Sequence, residues 1–94
     1  MTSPLTAEQR KHFVSENPGW TLDGESINRT FEFEDFAEAI GFVNRVALAA
    51  EKADHHPDID IRWNKVTLTL STHSAKALTK RDTDLAGTIE GWFG

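Results

Sequence analysis

Three of the four histidines in this chain stand where they can act together. His55 and His56 are adjacent, with Glu51 and Asp54 just before them and Pro57 just after. His73 closes an alternating run, Val66 to Thr72. Histidine titrates near neutrality, so an imidazole can give or take a proton without a large shift of its pKa. Two imidazoles on either side of a small molecule can serve as acid and base in one elimination or hydration. A neighbouring carboxylate, Asp54 or Glu51, can hold a tautomer or stabilise the charged ring.

Two other readings compete. A helix-ending His-His-Pro can be a solvated cap, because imidazolium is favoured at a helix C-terminus. That account suits one histidine better than three. A catalytic zinc site needs three protein ligands and a water. Adjacent His55 and His56 project in different directions, and the helical His-x-x-x-His spacing is absent. The residues therefore point to acid–base chemistry and to no metal. There is no cysteine, no Gly-x-Ser-x-Gly and no glycine-rich phosphate loop, which argues against a covalent nucleophile and against phosphate binding. His12, alone on a short helix, reads as surface.

A hairpin must bring the histidines together. Asp58 to Asn64 and Val66 to Thr72 both alternate, so they read as paired antiparallel strands. A turn at Asn64-Lys65 sets Ile61 opposite Leu68, Ile59 opposite Leu70, Pro57 opposite Thr72 and His56 opposite His73. A loop one residue longer shifts His55 or Pro57 to face His73. Strict alternation puts His73 on the polar parity, facing away from the helices, unless the strand ends first.

Before the hairpin, Thr6 and Gln9 form a capping box for a helix to about Glu16, which Asn17-Pro18-Gly19 stops. Met1 to Pro4 reads as a loose terminus. Trp20 to Leu22 and Ile27 to Phe33 read as strands, with Trp20 in the core. Arg29 falls on the apolar parity, which suggests an edge position. Asp35 caps a helix from Phe36 to about Ala53, and Glu38 repeats the box pattern. Its stripes, Phe36-Ile40-Val43-Ala47-Ala50 and Phe42-Val46-Ala49-Ala53, predict cover on more than one side. Glu51 and His55 share a face if the last turn stays helical. Pro57 forces the helix to end at the histidine pair, near solvent. Thr79 and Asp82 form another capping box, for a last helix presenting Leu85, Ala86, Ile89, Trp92 and Phe93. Trp92-Phe93 is a large apolar payload that suits packing on the sheet or a subunit contact.

With 94 residues the chain reads as a single domain, 1–94, of α+β class. A formal charge of −5 with no basic cluster argues against a nucleic-acid partner. No apolar run reaches membrane length and no basic-then-apolar leader opens the chain, so a cytoplasmic location and no membrane partner are expected.

On these residues the chain resembles the pterin-4a-carbinolamine dehydratase family. The match runs through Glu51-Lys52-x-Asp54-His55-His56-Pro57, Trp63, Asn64-Lys65-Val66, Leu68 to His73, and Lys80-Arg81-Asp82 leading into Leu85-Ala86. The resemblance implies a four-stranded antiparallel sheet with three helices packed on one face, and a homodimer or homotetramer. It implies loss of water from a 4a-hydroxytetrahydropterin to give the quinonoid dihydropterin, which recycles the tetrahydrobiopterin-type cofactor of aromatic amino acid hydroxylases. No metal or organic cofactor is implied. By position, His55 and His73 would be the acid–base pair, and His56 would bind and orient the pterin. Glu51, Asp54 and Pro57 would shape the site, with Arg81 and Asp82 at its rim or behind it. Some relatives carry an aromatic where this chain has Ile59, so stacking from that position is not available. The resemblance also allows a non-catalytic role, as a dimerisation partner of a transcription factor.

Overall fold

The computed structural model describes residues 3–93; Met1 and Thr2, half of the expected loose terminus, lie outside them. Pro4 is not loose. It bridges Thr79, and the Leu5 amide donates to the Leu78 carbonyl at 2.9 Å.

Helix α1 spans Ala7–Glu16 and starts on the capping box read from the sequence: Thr6 Oγ1 accepts the Gln9 amide at 3.1 Å, and Gln9 Oε1 accepts the Thr6 amide at 2.8 Å. Strands β1 (Thr21–Asp23) and β2 (Ser26–Glu32) follow, then helix α2 (Phe36–Ala53), the hairpin β3 (Asp58–Arg62) and β4 (Lys65–Leu70), helix α3 (Lys80–Glu90) and a 3-10 turn, Gly91–Phe93. Asp35 accepts the Glu38 amide at 2.8 Å, but the Glu38 carboxylate reaches Glu34 rather than Asp35, so the second box is half-formed.

The sheet is antiparallel throughout, in the order β1-β2-β4-β3. Alternation decides its faces. Ile27 and Phe31 of β2 and Val66, Leu68 and Leu70 of β4 share one parity and are buried under the helices. Ala39, Phe42, Val46 and Ala50 of α2 and Leu85, Ala86 and Ile89 of α3 meet them. Burying each large apolar side chain stabilises the fold by roughly 1.5–3 kcal/mol. Trp20 joins this core, donating its indole N–H to Glu90 at 2.8 Å. Phe93 stacks on Phe31 at 5.4 Å between ring centroids.

Further sequence expectations are tested by the register and the packing. The turn is Trp63-Asn64, not Asn64-Lys65, so Ile61 pairs with Val66 and Ile59 with Leu68. Trp63 takes the left-handed φ of 50°, and the Asn64 side chain donates to the Phe33 carbonyl at 2.8 Å, fastening the turn to the end of β2. The register therefore slips by two residues, and Pro57 and His56 no longer project onto Thr72 and His73. A slip of two leaves every side chain on its expected face.

Arg29 lies on β2 just beyond its last pair with β1, Thr21 with Asn28, and so near an edge as its parity suggests. Its guanidinium pairs with Glu90 and lies 4.6 Å over the Phe31 ring, so a charge on the apolar parity is satisfied at the rim of the core. Gly19 leaves it room: a Cβ there would stand 2.6 Å from Arg29 Nη1.

The described residues cover α2 on one side, not on the two that its stripes predict. Phe36, Ala47 and Ala53 are exposed, as is Leu48. On β3, Ile59, Ile61 and the adjoining Trp63 are likewise uncovered.

Candidate active site

Helix α2 ends one residue before the histidines. Asp54 turns left-handed, at φ 51°, a conformation aspartate tolerates better than most residues. The His55 amide closes back onto the Ala50 carbonyl at 3.0 Å, as in a Schellman closure. This reversal sends the two rings in different directions. His55 goes inward and is 7% exposed, whereas His56 stays in solvent.

Their carboxylates also differ from the sequence expectation. His55 Nε2 meets Asp82 Oδ1 at 2.5 Å. Asp82 is fully buried, and its Oδ2 accepts the Thr79 amide at 2.9 Å and the Thr72 hydroxyl at 2.8 Å. The partner of His55 is therefore Asp82, and neither Asp54 nor Glu51. Glu51 serves His56 instead, 2.8 Å from its Nε2, with both side chains exposed. The face shared by Glu51 and His55 does not form, because the helix stops at Ala53.

The capping box of α3 explains how Asp82 arrives. At the third helical position its carboxylate returns to the Thr79 amide and so is drawn into the fold. Oδ1 is left for His55. The same turn brings Arg81, whose Nη2 donates to the Asp54 carbonyl at 2.6 Å. The N-terminus of α3 is thereby fastened to the C-terminal cap of α2.

Strand β4 stops at Leu70. Thr72 bridges Ala77 across a tight loop in which the Lys76 amide donates to the His73 carbonyl at 3.1 Å. His73 is exposed on that loop, and strand parity no longer dictates its direction.

A polar cavity of about 320 Å³ opens here, lined by Asp54, His55, His56 and Pro57, by His73 with its neighbours Thr72 and Ser74, and by Asp58 and Arg81. Of the residues singled out in the sequence, Glu51 and Asp82 do not line it. Each stands behind a histidine that does. An apolar cavity of about 370 Å³ between α2 and α3 shares His55 and Arg81 as walls. Among the described residues no group of three His, Asp or Glu side chains is arranged to hold a metal ion.

Thr72 carries a signal that the alternation pattern hides. It shares the parity of Val66, Leu68 and Leu70, and a hydroxyl on a core parity signals a buried polar partner.

A small α+β protein with an imidazole held by a buried carboxylate, at the wall of a polar cavity with two further imidazoles, has groups that can exchange protons with a small molecule. Comparison with known proteins specifies the class further. The chain belongs to the family described as pterin 4 alpha carbinolamine dehydratase, whose profile matches residues 3–92. A Roseiflexus castenholzii protein is 58% identical over 90 residues, covering 96% of this chain and 97% of the relative. One from Nocardia farcinica is 55% identical over 89 residues, covering 95% and 94%. Both carry the name "Putative pterin-4-alpha-carbinolamine dehydratase". The crystal structure of a transcriptional coactivator/pterin dehydratase from Brucella melitensis superposes with a TM-score of 0.91 at 37% identity, covering 98% of this chain and all of that one. No helix among the described residues is long and apolar enough to cross a membrane.

Proposed function

We propose that this protein removes water from a 4a-hydroxytetrahydropterin by histidine acid–base catalysis, as part of recycling a tetrahydrobiopterin-type cofactor. The observation that carries the reading is the His55–Asp82 pair beside His73 on one cavity. In the elimination a base takes the N5 proton. The freed electron pair forms the N5–C4a double bond, the C4a–O bond breaks, and the departing hydroxyl leaves as water once protonated. His55 takes the part of the base, because Asp82 receives its Nε2–H and holds the ring in one orientation. His73, exposed and on the opposite loop, supplies the proton to the hydroxyl. His56 orients the pterin, with Glu51 holding its ring, while Asp54 and Pro57 shape the wall and Arg81 holds the Asp54 backbone in place.

The Brucella relative's name joins a coactivator role to the dehydratase. The buried pair favours catalysis here, since a docking module needs no imidazole fixed by a buried carboxylate.

Stopped-flow absorbance in the presence of chelator tests the reading. Wild type accelerates dehydration of the 4a-hydroxytetrahydropterin, and a folded His55→Ala/His73→Ala variant does not. A folded wild type without acceleration would refute it.

We propose further that the protein is a homodimer through β3. This strand is a sheet edge with Ile59, Ile61 and Trp63 uncovered, an arrangement that invites a second strand. Antiparallel pairing centred on Ile61 sets Asp60 opposite Arg62 of the second copy. Ile61→Lys is then expected to halve the mass seen by analytical ultracentrifugation. A mass unchanged by that variant would exclude this edge.

A further inference from the structure

Asp82 decides which nitrogen of His55 is free, and two threonines decide the state of Asp82. Thr72 Oγ1 lies 2.8 Å from Asp82 Oδ2 and 2.6 Å from Thr79 Oγ1. Each hydroxyl has a single proton to donate. The Thr72 proton is spent on the carboxylate, so Thr72 accepts from Thr79. Thr79 Oγ1 in turn accepts the Arg81 amide at 3.2 Å. Donation thus runs one way, from the Arg81 amide through Thr79 and Thr72 to Asp82. With the Thr79 amide at 2.9 Å, Oδ2 faces only donors.

Oδ1 faces only His55 Nε2, at 2.5 Å. An ionised carboxylate can only accept, so Nε2 is the donor and carries the shared proton. Among the described residues no buried side-chain nitrogen or oxygen lacks a partner. Nδ1 of His55 has no hydrogen-bond partner among the described residues and so is not sealed in the interior, on a ring that walls both the polar and the apolar cavity.

We infer that Thr72 is a positioning residue: through Asp82 it locks His55 with its proton on Nε2, which leaves Nδ1 as the nitrogen that exchanges protons with substrate. The use made of Nδ1 rests on the dehydratase reading, whereas the lock does not. Thr72 lines the cavity but is 2% exposed, and its hydroxyl proton is spent on Asp82, so it acts through Asp82.

Nitrogen-15 NMR of the imidazoles, with His55 assigned by its loss in His55→Ala, tests the lock alongside stopped-flow turnover of the 4a-hydroxytetrahydropterin. Wild type is expected to give a resolved, slowly exchanging Nε2–H proton for His55. In Thr72→Val that proton broadens or exchanges faster, kcat falls about tenfold and KM stays within about twofold, the scale of one hydrogen bond to a charged group. Thr72→Ser, which restores the hydroxyl, recovers both. A wild-type His55 protonated on Nδ1 alone would overturn the lock, whatever the variants do. So would a Thr72→Val protein with an undisturbed Nε2–H, or a Thr72→Ser protein as impaired as Thr72→Val. Wild type without turnover would remove the dehydratase reading, yet a Nε2–H sensitive to Thr72→Val would still establish the lock.

Discussion

Replacing Asp82 with asparagine is expected to lower turnover roughly a thousandfold or more while the protein stays folded, on the scale of tautomer inversion in a serine-protease triad. The Thr79 amide is a fixed donor 2.9 Å from Oδ2, so in Asp82→Asn the oxygen of the new carboxamide must face it. The NH2 group is then forced toward His55. Nε2 has to accept, and the ring proton moves to Nδ1, where the proton of the substrate should be received. The side chain keeps its shape and two of its hydrogen bonds, and the cap of α3 survives. Circular dichroism and thermal melts would establish the fold, and stopped-flow traces would give the rate. An Asp82→Asn protein that turns over within about threefold of wild type would show that the ring's protonation pattern does not matter. Asp82→Ala is a poorer probe, because removing one partner of a buried charged pair costs about 3–5 kcal/mol and risks unfolding.

The second large effect is expected at His73. His73→Ala should reduce kcat about a hundred- to ten-thousandfold, the usual worth of a positioned general acid or base. Stability should stay within about 0.5 kcal/mol of wild type, because the residue is exposed on a loop and its side chain holds nothing in place. Paired denaturant titrations and single-turnover rates separate the two quantities. A large loss of stability with intact specific activity would make His73 a structural residue and leave the chemistry to His55 and His56.

Much of this arrangement is legible in the sequence, and the parts that are not share one cause. Alternation marks the sheet faces, and caps mark the starts of all three helices, because both signals are local. Asn64 lies in the hairpin turn as expected, but the turn opens one residue earlier, because a turn preference is a local bias that does not fix which turn position a residue takes. Here Trp63 adopts the left-handed backbone and Asn64 instead bonds to Phe33, a residue 31 positions away. The chain neighbours of His55 suggest Asp54 or Glu51 as the carboxylate behind it. The fold supplies that carboxylate from 27 positions away, by burying Asp82, which local pattern marks as a cap and only the family resemblance places at or behind the site. Arg29 violates its parity for a similar reason, since Glu90 on α3 satisfies it. Local chemistry thus names the residues, while the pairing of distant ones waits for the packing of helix on sheet.

The loop closed by the Thr72–Ala77 bridge carries a last consequence. His73 and Ser74 hang from a loop whose backbone bonds are made internally, with Thr72 accepting from Ala75 and His73 from Lys76, both at 3.1 Å. His55 is bolted to α3 through a sealed carboxylate. The cavity therefore has one wall that cannot be altered without disturbing the interior and another where, His73 apart, a side chain can be exchanged without touching it. Redesign of substrate preference belongs on Ser74, which lines the cavity beside His73 and leaves both imidazoles as they were.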